Sequence, residues 1–339
     1  MSDAPTAVPT ADPTKVHVAQ QWKHESPLIS CRFDPQGRYV FAGAQDNSVQ
    51  RFEAATGKRT ALSGHESWVR AIGFLPDGET LLTGGYEGQL NWWPTAAEQP
   101  TPAKSIAAHD GWIRALLVTA DGASIVTCGN DLSIKVWSAA DGSLLRELKG
   151  HTRHVYNIAL HPDGQHLASI DLMGGIRHWD LAAGKELRQF AAADLHKYDT
   201  TFGADIGGAR GLEFSPDGKL LACSGITNVS NAFAGIGNPA IVLIDWEKGE
   251  KKQLHRPKES FNASAWGLSY HPAGYLVSVA GGGGGGHLMF YKPEQAEPFH
   301  QFKLPNTGRD MHLAADGLRV AVAHHDGHIR ICELRAKPA

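Results

Sequence analysis

Residues 108–137 read AHDGWIRALLVTADGASIVTCGNDLSIKVW, and the order of strand and turn signals in this stretch decides the fold. A β-rich run ends at Val118, the turn TADG follows, a second run is IVTCG, a polar break is NDLS, and a third run closes on Trp137. Asp-Gly is turn chemistry, because glycine accepts the positive φ of a tight hairpin without steric cost. The runs are short, β-branched and alternating, and no segment of the chain sustains a helical period. The stretch therefore predicts three antiparallel strands joined by tight turns.

Outward from it, the phrase recurs. An apolar anchor followed by x-Pro/Ala-x-Gly appears at Phe33, Phe74, Val118, Leu160, Phe214, Tyr270 and Leu313. The glycines fall at Gly37, Gly78, Gly122, Gly164, Gly218, Gly274 and Gly317, with gaps of 41, 44, 42, 54, 56 and 43 residues. Each copy supplies an inner strand before its turn, two strands after it, and an outer strand leading into the next copy. Four strands per repeat, seven times over, predict an all-β, seven-bladed β-propeller of four-stranded antiparallel blades. The expected organisation is one domain over residues 15–335, a disordered tail at 1–14 and a short tail at 336–339.

Composition sets the class. The chain has 339 residues, 42% of them hydrophobic and 20% charged, with a formal net charge of −3. A balance so near neutrality argues against nucleic-acid binding through bulk charge. Cys31, Cys128, Cys223 and Cys332 lie far apart on strand-like runs, so neither disulfides nor a zinc site is expected and a reducing compartment fits. The start, MSDAPTAVPTADPT, has no basic or apolar region of a secretion signal, and no apolar run approaches a membrane span. A cytoplasmic protein, monomeric on its own, is the expectation.

These motifs resemble those of the WD40-repeat family over nearly the whole length, and the regular HPDG and SPDG phrases look like those of bacterial members. Gly64-His65, Ala108-His109 and Gly150-His151 stand at the family's GH position, and Trp93, Trp137 and Trp179-Asp180 at its WD. Asp46, Asp131 and Asp326 stand where its turn aspartate belongs, while Glu87 and Met173 occupy that place in blades two and four. The resemblance implies a hydrogen-bonded His–Asp–Trp network inside a blade, complete only in blade three, so these residues are structural. It also implies a ring-closing strand: the last copy ends after three strands, and residues 16–22 (VHVAQQW) would supply its missing outer strand.

Two features point to function. Four residues before each anchor stand Ile29, Arg70, Arg114, Tyr156, Arg210, Trp266 and Arg309, and Trp68 and Trp112 lie two residues before the first two arginines. Arginine with Trp and Tyr is the residue mixture of binding hot spots, and the guanidinium fork suits carboxylate or phosphate. The same arginines could instead pair with neighbouring aspartates or strand carbonyls, with the tryptophans packed between blades. Second, three long insertions, at 191–208, 225–240 and 255–265, map to the face that the family's convention calls the top. Loops grow where partners dock, although surface insertions are also cheap.

Weaker signals point away from chemistry. Residues 281–286 are six glycines, but no GK[ST] follows, so a hairpin turn is expected rather than a phosphate cradle. His324, His325 and His328 surround Asp326, but neighbours in a strand–turn–strand alternate faces, so no metal site is expected. The expected function is a non-catalytic scaffold without cofactor that binds a protein or peptide, acidic or phosphorylated, through the Arg/aromatic rim. The alternatives are an enzyme using the central mouth with His or metal chemistry, and a purely architectural subunit of a larger complex.

Overall fold

The computed structural model describes residues 10–231 and 236–337. Within them the chain forms seven four-stranded antiparallel sheets arranged as a ring, the seven-bladed β-propeller expected from the repeat. Blade three runs Ile113–Val118, Ser124–Gly129, Ile134–Ser138 and Leu144–Leu148 from centre to rim. All seven phrase glycines have φ between +66° and +86°, which is why that turn position is glycine in every copy.

The core lies between sheets rather than within one. Val126, Val136 and Ile134 of blade three pack against Val155, Leu167 and Trp179 of blade four, and equivalent clusters fill the other seams. Each sheet thus buries both faces, and no blade can complete its core alone.

The last seam is closed by the N-terminal strand. His17–Lys23 pairs antiparallel with His328–Glu333, from His17 opposite Glu333 to Lys23 opposite His328. Trp22 stacks on Phe52 of blade one at 5.9 Å, so the strand is locked on both sides. The expected tail at 1–14 falls in two parts. Residues 1–9 lie outside the described residues. Asp12 instead donates its amide to the Leu334 carbonyl at 2.6 Å, and its side chain caps a single 3-10 turn at Pro13–Lys15. At the other end, residues 338–339 also lie outside the described residues.

The three insertions form one ridge. Between blades four and five, His196–Asp199 pairs with Ala204–Gly207 as a small separate hairpin. From the sequence, the insertion at 225–240 reads as a grown loop. It prolongs the blade instead: Leu220–Asn231 and Ile236–Asp245 continue the ladder through Gly225 opposite Ala240 to Thr227 opposite Asn238. Its Ile226 and Val229 bury against Ile206 of the small hairpin. The third insertion joins through Asn238, whose amide donates to the Phe261 carbonyl at 3.2 Å. The glycine run makes a tight hairpin, with Gly282 opposite Gly285. No helix is long and apolar enough to cross a membrane among the described residues.

Candidate functional site

One backbone feature recurs in every inner strand. The pairing register shifts across Ile29, Arg70, Arg114, Tyr156, Arg210, Trp266 and Arg309, one bulge per blade. A bulge inserts an unpaired residue and re-aims its side chain. Seven bulges at one level of the ring direct these seven side chains into a common mouth.

There they enclose a cavity of about 190 Å³, with Trp68, Tyr86 and Gln45 completing its wall. The Arg114 guanidinium lies 4.3 Å from the Trp112 ring centre and 4.4 Å from that of Tyr156. Trp266 is surrounded by three more, Arg309 at 5.0 Å, Arg210 at 5.2 Å and Arg70 at 5.9 Å. Its indole N–H is spent on the Gly281 carbonyl at 2.9 Å, leaving the ring faces to the cations. Tyr86 stacks on Trp112 at 4.0 Å, and Trp68 and Trp112 are each 40% exposed at the lip. Stacked cations of this kind gain about 0.5–2 kcal/mol each, so the cage holds its arginines partly by aromatic contact.

The arginines are only partly spent on the protein. Arg70 donates to the Ile29 carbonyl at 2.6 Å, Arg114 to the Asn130 side chain at 2.8 Å and Arg210 to the Ala209 carbonyl at 3.3 Å. Among the described residues, no carboxylate lies within salt-bridge distance of Arg70, Arg114, Arg210 or Arg309. The Nε groups of Arg210 and Arg309 are buried without a hydrogen-bond partner. Burial first, with the charges of Arg70 and Arg114 adding to it, pulls Arg210 below its ordinary value, and burial with Arg70 does the same for Arg309. Such a concentration of unneutralised charge favours an anion. Tyr86, Gln45 and Asn130 were not legible as site residues, because they sit in turns between second and third strands and reach the mouth only through the ring.

The residues singled out for a structural role form directed relays. In blade three, Trp137 donates its indole N–H to Thr127 Oγ1 at 2.8 Å, and Thr127 meets His109 Nε2 at 2.7 Å. His109 Nδ1 faces the Asp131 carboxylate at 2.9 Å, so the network assigns the proton to Nδ1. Blade two repeats this with Trp93, Thr83, His65 and Glu87. Blade four does so with Trp179, Ser169, His151 and Asp171.

Two corrections follow. Blade four is complete, its acceptor being Asp171 rather than anything at Met173, because the turn is offset by two residues. Asp46 also has a histidine partner, though no relay: it meets His24 at 2.6 Å, just beyond the closing strand, and the other ring nitrogen of His24 faces Arg59. Asp326, by contrast, is held by Arg330 at 2.9 and 3.1 Å rather than by a His–Trp pair. The central hydroxyl, ten residues before each Trp, is the member that sequence reasoning missed. Of the histidines near Asp326, His324 is buried against the Asn306 carbonyl at 3.0 Å, and burial lowers its pKa to about 4.

The family model for the WD domain, G-beta repeat, matches this chain four times, at residues 17–52, 57–94, 100–138 and 142–180. Those four stretches are WD40 repeats. Each match begins at or just before the outer strand of one blade and ends on the third strand of the next, so the first match starts with the closing strand itself. Relatives of this WD40 propeller include Protein groucho of Drosophila melanogaster, 27% identical over 56% of this chain. Another is transcription initiation factor TFIID subunit 5 of Caenorhabditis elegans, 23% identical over 59% of it. The aligned stretches span only 23% and 29% of those two proteins. Both are animal proteins, and neither bears on the bacterial likeness of the turn phrases.

Proposed function

We propose that this WD40 propeller is a non-catalytic, cytoplasmic interaction scaffold that takes an acidic or phosphorylated peptide segment into its top mouth. The observation that carries the reading is the convergence of four arginines with no carboxylate partner among the described residues, inside an aromatic cage open at Trp68 and Trp112. Arginine on an aromatic face keeps its N–H groups free to fork onto an oxyanion. The first and third insertions of the ridge lead directly into the inner strands that carry Arg210 and Trp266, and Tyr198 and Phe202 are 55% and 47% exposed on it. One relative is by its name a subunit of an initiation factor, which supports a role within assemblies. The four cysteines are free and buried, in keeping with a reducing compartment.

The test is binding of an Asp/Glu-rich phosphoserine peptide, followed by the fluorescence of the lip tryptophans. Arg70→Ala combined with Arg114→Ala should weaken binding by about tenfold or more. The melting temperature should shift by no more than roughly 2–4 °C. A large loss of stability in the double variant would show the arginines to be internal struts. Equal binding by the variant and the wild type would remove the mouth as the site.

A further inference from the structure

On the opposite face, the turn of blade four gathers three metal-ligating side chains. His161, Asp163 and His166 each offer a ligand atom, all within 4.8 Å of one another. His161 Nδ1 lies 2.9 Å and His166 Nδ1 2.6 Å from the same oxygen, Asp163 Oδ2. All three remain partly open to solvent, with side-chain exposures of 17%, 33% and 32%.

The equivalent turns of other blades show what is special here. In blades two, three, five and seven the turn aspartate Oδ1 accepts a backbone amide two residues on, and Asp163 does the same with Gln165. Only in blade four do two imidazoles face the second oxygen. In blade six, His271 holds the next blade's turn through Nε2 and the Gly317 carbonyl at 2.7 Å, while its Nδ1 accepts the Ala273 amide. His161 makes the same pair of bonds, Nε2 to the Gly218 carbonyl at 3.1 Å and Nδ1 from the Asp163 amide at 3.2 Å. Those bonds fix its proton on Nε2. Its Nδ1 therefore carries no proton and lies 2.9 Å from Asp163 Oδ2, the oxygen to which His166 Nδ1 hydrogen-bonds at 2.6 Å. A metal ion entering here would take the place of the Asp163 amide at His161 Nδ1 and of the proton shared by His166 and Asp163.

From this geometry we infer that His161 Nδ1, His166 Nδ1 and Asp163 Oδ2 bind a divalent transition-metal ion of the zinc type, with water completing its coordination. Two imidazoles and one carboxylate are a borderline donor set that suits zinc and disfavours magnesium or calcium. The second shell is present: the Gly218 carbonyl fixes His161, and the Gln165 and His166 amides hold Asp163 Oδ1 at 2.8 and 3.1 Å. His178 packs edge-on to His166 at 4.8 Å, and its buried Nε2 has no partner among the described residues. Because His161 also packs on Phe214 of blade five at 4.9 Å, the ion would brace the seam between blades four and five.

The experiment is calorimetric titration of the chelator-treated full chain with zinc chloride at pH 7.5, alongside thermal melts. One ion per chain should bind and raise the melting temperature, while magnesium chloride should give neither effect. His166→Ala should weaken zinc binding at least tenfold, and Asp163→Asn should do the same while keeping the turn's amide acceptor. Both variants should melt near the metal-free wild type. His166→Gln serves as the third variant if the alanine fails to fold. Absence of stoichiometric zinc binding, or equal binding by the wild type and the position-166 variants, would overturn the site.

Discussion

At the residue scale, the hydroxyl of Thr127 is the hinge of the blade-three relay. It accepts from Trp137 and donates to His109 Nε2, leaving His109 Nδ1–H for Asp131. The carboxylate is held well below the usual range: burial opposes its ionisation, but hydrogen bonds and charge from His109, then Ser133 and Lys135, outweigh that. Thr127→Val keeps the shape and strands both the indole N–H and the imidazole lone pair. The expected cost is about 1–3 kcal/mol for each stranded group, read as a lower urea midpoint, with Thr127→Ser restoring most of it. A valine variant as stable as the wild type would show that the relay contributes nothing net. His, Asp and Trp of this relay were legible in the sequence because their spacing repeats. The hydroxyl was not, since a threonine or serine in a strand carries no mark of what its oxygen touches.

At the scale of elements, the bulge does the functional placing and the closing strand does the structural work. An unbulged inner strand would alternate its side chains between the two seams, sending Arg70 or Arg114 into a neighbouring sheet rather than into the mouth. The closing strand satisfies the free edge of His328–Glu333 and buries Val16 among Val320, Val322 and Leu334. A chain starting at residue 24 should therefore expose that edge. Size-exclusion chromatography should show it oligomerised or aggregated, and its melting temperature should fall sharply. A truncated chain that stayed monomeric and equally stable would contradict the closure.

Over the whole molecule, the central channel couples charge to stability. Below the mouth the inner strands enclose a cavity of about 510 Å³ lined by Arg32, Glu213 and Asp310 among others. Burial raises Glu213 to about 7 against hydrogen bonds from the Tyr270 amide and the Ser269 hydroxyl. The folded protein thus holds a proton that the unfolded chain releases from about pH 4.5 upward, so this group's contribution to stability falls as pH rises from there through 7. Glu213→Gln should be more stable than the wild type at pH 8, on the order of 1–3 kcal/mol, with the difference vanishing near pH 4. Denaturant melts at the two pH values decide it, and a pH-independent difference would refute the assignment. The buried histidines act in the other window. His324 and His178, both lowered to about 4 chiefly by burial, stay neutral in the fold, so stability falls as pH drops below about 6.5.

The sequence by itself determined the period, the four-strand unit, the count of seven and the strand that closes the ring, along with the seven side chains that share one level of it. These are local properties: a turn glycine needs positive φ wherever it sits, and alternation reports burial residue by residue. Tertiary structure alone decided that the seven side chains meet, because that depends on a bulge in each strand and on the curvature that brings blade two within 6 Å of blade six at Trp266. It also decided that His24 answers Asp46 and Asp171 answers His151, and that three separate insertions make one ridge. Each of those outcomes depends on how neighbouring blades seat against one another, a distance that no spacing along the chain encodes.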